Sequence, residues 1–158
     1  MHANPFRIKS VVVCFSALWY TIVFLSNTLD LFKELSVLPE SFAFHSGNFE
    51  LIEKVTAVHG FSHLLNIGLL IGVILFEGLV GFLFWRLLFQ LKTDLDRGGP
   101  QIQLTYFLGI TLWGLFLVFD EIFLVYRVFN GEVLHFTILI FHLISYQFIL
   151  SNGKTITY

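Results

Sequence analysis

Four histidines and two acids in this chain have the types and spacing to hold a metal ion or a haem. His59 and His63 stand four residues apart, His135 and His142 seven apart, and Asp120 and Glu121 precede the second pair. At about 100° per helical residue, each histidine pair falls on one face of its own helix. Neutral imidazole is the commonest metal ligand, and bundles build cofactor sites from side chains on facing helices. His63 and His142 are the cross-helix candidates for a haem b. For a divalent metal the candidate set is His59, His63, Asp120, Glu121 and His142. No specific signature such as His-Glu-x-x-His accompanies them, so interfacial packing and a partner-binding surface stand as alternatives. The residues name no particular cofactor.

A different chemistry attaches to Glu77, the single acid inside a long apolar run. An ionisable residue within a membrane helix pairs with a donor, meets water, or marks an ion or proton path. On a helix beginning early enough to include residue 59, His59, His63, Asn66 and Glu77 share a stripe about 60° wide. Such a stripe turns toward the bundle interior or a partner. Counting puts Glu77 roughly 24 Å below Phe61, in the inner half. Arg86, nine residues on, falls on the opposite side of the rod and is a poor partner for it. Asn27, Asp30, Asn66, Glu77 and His135 are the expected buried or structural polar residues. Tyr20 and Asn27, and likewise Tyr106, Trp113 and Asp120, recur at the seven-residue spacing that suits left-handed bundle packing. Gly68 and Gly72 form a small-xxx-small pair for close helix contact.

The elements that must position these groups follow from composition. Of 158 residues, 56% are apolar and only 13% charged, against about 25% charged in a soluble domain. Twenty phenylalanines point the same way. One cysteine, Cys14, excludes a disulfide scaffold. Nine Lys and Arg against eleven Asp and Glu leave no basic footprint for nucleic acid. Four stretches, about 11–29, 61–88, 104–125 and 133–150, are long enough to cross a bilayer core of roughly 30 Å as helices. The expectation is one all-α integral membrane domain over 1–158, a four-helix transmembrane bundle. Arg7 and Lys9 before the first run resemble a leader. Bulky Trp19, Tyr20 and Phe24 and the lack of a clean small-x-small site favour a retained anchor.

Arg7, Lys9, Arg86, Lys92, Arg97 and Lys154 fall on one side of the four spans, and Lys33, Lys54 and Arg127 on the other. The excess places both termini in the cytoplasm. Residues 89–103 read as a short inner turn around Gly98-Gly99-Pro100, and 126–132, with Asn130-Gly131, as a tight outer turn. The first connection, about 30–58, is too apolar for free solvation. It reads as a cap on the outer bundle end, with a short helix before Pro39.

The chain resembles a family of small four-helix bacterial integral membrane proteins of unassigned function. The resemblance covers about residues 12–135. It rests on Asn27-Thr28-x-Asp30, on Glu77 followed by Arg86, and on Glu121-Ile122-Phe123 leading through Arg127 to Asn130-Gly131. Phe129 stands where the family shows a tryptophan, and the first outer loop lacks the histidine- and methionine-containing segment that follows the family's Asn/Asp motif. The resemblance implies four spans and a bacterial inner-membrane location, and no activity.

Three functions fit these residues: an accessory or scaffolding subunit of a larger membrane complex, a haem b or metal-binding protein with its site in the outer half, and an oligomeric ion or proton transport component. Whether the chain is an enzyme is left open. The expected partners are the lipid bilayer and another membrane protein or a second copy, with no nucleic acid.

Overall fold

In a computed structural model describing residues 5–96, 99–125 and 131–151, the chain forms five α-helices. They are α1 (Pro5–Glu34), α2 (Asn48–Thr56), α3 (His63–Asp96), α4 (Pro100–Ile122) and α5 (Gly131–Leu150). A 3₁₀ turn, Ala57–His59, follows α2. Four of the helices, all but α2, are long and apolar enough to cross a membrane. The protein is a four-helix transmembrane bundle. Arg97, Gly98, Arg127, Asn130 and Lys154 lie outside the described residues.

The helices outrun the apolar stretches because lipid limits the apolar length of a rod, not its helical length. Arg7 and Lys9 extend α1 at one end, and Asp30, Lys33 and Glu34 at the other. Ser36, at φ 57°, then turns the chain out of the helix. Among the described residues, no helix precedes Pro39 other than α1 with this prolongation; the short cap helix is α2, after the proline. Phe49, Val55 and Thr56 are its buried positions, at near-helical spacing.

Gly60 adopts a left-handed conformation, φ 66°, which ends the 3₁₀ turn. The second span therefore begins at His63, and His59 belongs to the connection rather than to the helix. That corrects the expected stripe at its upper end.

Around the bundle, α1 packs chiefly on α3, α4 on α5 and α3 on α4, and side chains of α1 meet α5. Two ties set the ends of the bundle away from α2. Lys9 Nζ donates to Ile149 O at 2.7 Å and Ser151 O at 2.8 Å, satisfying carbonyls at the end of α5. Asp94 accepts from the backbone amides of Gln101 (3.1 Å) and Ile102 (2.9 Å), capping the first turn of α4 from the end of α3. Most of the apolar core gathers around Tyr20, Phe84, Leu87, Ile102, Tyr106 and Trp113. A smaller cluster under the cap joins Leu31, Phe49, Leu70 and Ile74. Gly68 and Gly72 make no close contact within the bundle: nothing lies within 4 Å of a Cβ built on either, and both face outward.

Candidate functional site: a polar ladder beneath a cap

Asn27 on α1 lies between Tyr20 of the large core and Leu31 of the small one. Glu77 on α3 lies between Ile74 and Val80, which divide the same way. The pair therefore meets at the seam of two apolar clusters. Asn27 Nδ2 donates to Glu77 Oε2 at 2.7 Å, and Asn48 Nδ2, from the first residue of α2, donates to Asn27 Oδ1 at 2.7 Å. Asn27 is fully buried and Glu77 is 2% exposed. Both amides point a donor inward, toward the carboxyl group. Glu77 stands opposite a residue only about 10 Å from the Glu34 end of α1, taking 1.5 Å per residue. It is directly under the cap rather than in the half of the bundle far from it. The first turns of α3 rise beside the cap, so counting down from Phe61 exaggerates the depth.

Asp30, one helical turn above Asn27, is the hub of the cap. Its carboxylate accepts from His45 Nδ1 (2.8 Å), Ser46 Oγ (3.1 Å) and the backbone N–H of Phe49 (2.8 Å). Lys33 Nζ donates to His45 Nε2 at 3.0 Å, which makes Nδ1 the protonated ring nitrogen. Around this hub lies a cleft of about 230 Å³ lined by Asp30, Glu34, Glu40, Glu50, Glu53 and Lys33. Carboxylates outnumber cationic side chains in this lining, so the local field is negative. Exposed Glu50 is held below the usual carboxylate range by its hydrogen bond and ion pair with Lys54.

A second buried chain joins three spans. Trp113 Nε1 on α4 donates to Tyr20 Oη on α1 at 2.8 Å. The Tyr20 hydroxyl then donates to His142 Nε2 on α5 at 3.1 Å, and His142 Nδ1 donates to Ile138 O at 2.8 Å. Gly109 leaves room for it: a Cβ there would stand 3.1 Å from the Tyr20 hydroxyl and 3.0 Å from the His142 ring.

The histidines proposed as ligands are dispersed. His63 sits exposed at the start of α3, donating from Nδ1 to Glu53 at 3.0 Å, with Nε2 3.5 Å from Glu34. His142 is buried against Tyr20, Phe84 and Tyr106. Glu34 and Tyr20 are fourteen residues apart on α1, about 21 Å along its axis, so one haem iron cannot reach both rings. The pairing fails because α3 starts at His63 and not near residue 57. His135 Nδ1 donates to Asp120 Oδ2 at 2.6 Å, and its ring stacks on Phe116. His59 Nε2 donates to Ile122 O at 3.0 Å, capping the end of α4, while Glu121 is exposed. Asn66 is buried, its Oδ1 2.9 Å from Thr56 Oγ1. Among the described residues, no three His, Cys, Asp or Glu side chains are grouped to hold a metal.

His45, Asn48, Lys33 and Lys9 are the participants that reading the sequence did not single out as site residues. For the cap, a signal was present: Gly47-Asn48 followed by apolar Phe49, Ile52 and Val55 at helical spacing. No family model, curated protein or solved structure matches this chain.

Proposed function

We propose that this protein is a small accessory or scaffolding subunit of a larger membrane complex, resident in a bacterial inner membrane with both termini cytoplasmic. The observation supporting this reading is the use made of the buried polar groups. Asn27 with Glu77, Tyr20 with Trp113 and His142, Asp120 with His135, and Lys9 with the carbonyls of Ile149 and Ser151 each bridge one helix to another. Side chains so engaged fix helix positions rather than offer reactive atoms to a substrate. A neighbour would meet the apolar outer faces of the spans, including Leu64, Leu75 and Leu79 on α3. The location rests on the family resemblance and on the Lys/Arg excess at the inner ends. Purification from mild detergent at near-native expression tests the reading. It should return a stoichiometric larger membrane protein; recovery of the chain alone contradicts it.

A second reading, an oligomeric ion or proton transport component, is favoured by one observation: a carboxyl group, Glu77, buried at the seam of two apolar clusters. Proton flux into vesicles carrying the protein, lost in Glu77→Gln, is its test. Equal flux in both proteins contradicts it.

A further inference from the structure

We propose that Glu77 is a proton-binding site inside the membrane, its carboxyl group neutral at rest and sealed from the outer side by the Asn27–Asn48 amide ladder. The proposal goes beyond the accessory reading and stands whether or not protons cross the bilayer.

A carboxylate taken out of water pays a desolvation cost that a buried cation or several donors must offset; lacking them, the group takes up a proton. Glu77 is 2% exposed. Leu31, Phe49, Leu70 and Ile74 lie on its outer side, and Tyr20, Val80 and Phe84 on its inner side. Its hydrogen-bond donor is Asn27, a neutral amide. Among the described residues, no Lys, Arg or His nitrogen forms an ion pair within 4 Å of its carboxyl oxygens. From α1 it is faced by Asn27, while the Tyr20 hydroxyl is engaged by Trp113 and His142. From α2, Asn48 reaches it through Asn27. One amide offsets part of the cost of a buried negative charge and not all of it. Asn48 belongs to the cap, which Asp30 holds down through His45, Ser46 and Phe49. Outer water therefore reaches Glu77 when the Asn48–Asn27 contact opens, and the proton enters or leaves by that side.

Infrared spectroscopy of the full chain in lipid vesicles reads this directly, because a protonated carboxyl group has a carbonyl stretch that a carboxylate lacks. Glu77→Gln keeps an oxygen for Asn27 to donate to. At neutral pH the wild-type protein should show a protonated-carboxyl band that Glu77→Gln lacks; identical spectra there would overturn the proposal. Should that variant not fold, Asn27→Leu serves. It removes the amide that donates to Glu77, so the band should remain at neutral pH with a shifted frequency. Loss of the band at the same pH would contradict the assignment. In heavy water, Asn48→Ala should speed deuterium exchange of the band several-fold. An unchanged exchange rate would overturn the seal.

Discussion

Asn27 and Glu77, fifty residues apart in sequence, meet at 2.7 Å between α1 and α3, where the large apolar core gives way to the smaller cluster under the cap. Asn48 extends the contact to the cap, so one line of hydrogen bonds ties the cap to the two helices that pack most extensively on each other.

Glu77→Leu should impair accumulation and partner recovery more than Leu75→Ala. The first leaves a buried amide donor without its acceptor, at about 1–3 kcal/mol. Leu75 is 68% exposed, and its truncation opens no cavity within the bundle. Detergent-solubilised yield and thermal aggregation temperature, measured side by side, check this.

Tyr20→Phe should destabilise the bundle by about 1–3 kcal/mol, since one hydroxyl serves both Trp113 and His142. Gly109→Ala should also destabilise it, because the added methyl presses on both Tyr20 and His142. Thermal unfolding in detergent reports both. A Tyr20→Phe protein as stable as the wild type would mean that the chain contributes nothing to holding α1, α4 and α5.

Asp30→Ala should release the cap while leaving the four spans in place. The carboxylate is the acceptor shared by His45, Ser46 and the Phe49 amide. Limited proteolysis should cut residues 36–47 faster than in the wild type, with the spans protected in both. Equal cutting rates would contradict the hub role.

With Cys14 replaced, a cysteine at Glu40, whose side chain is 92% exposed, should react with an impermeant thiol reagent applied to intact cells. One at Lys92, exposed at the other end of the bundle, should not. Reaction at residue 92 would invert the proposed topology.

Spans were legible because lipid imposes one requirement along the whole rod, apolar length, and composition records it residue by residue. Their ends were less so. Gly60 sets the start of α3 through a single backbone conformation, and that local event moved His59 off the helix and His63 to its tip. Asn27, Glu77, Tyr20, Trp113 and His142 were each visible as polar or amphipathic positions on apolar helices. Which met which was not, because pairing across helices depends on their relative rotation and height, and seven-residue spacing within one helix constrains neither. The His63–His142 pairing failed on height alone. His45 escaped notice because it acts from a connection, where no periodicity marks a side chain as inward.

The most direct test of the Asn27–Glu77 relationship is a double-mutant cycle on unfolding in mild detergent, with Asn27→Leu, Glu77→Leu and the pair combined. Glu77→Leu strands the Asn27 amide, and Asn27→Leu strands the Glu77 carboxyl group. The loss of the Asn48 contact is common to Asn27→Leu and the double variant and cancels in the cycle. The double change replaces both partners with apolar side chains. The double variant should therefore be less destabilised than the sum of the singles, with a coupling energy of about 1–3 kcal/mol. Strict additivity would mean that the two side chains do not bond in the membrane, and would contradict the ladder.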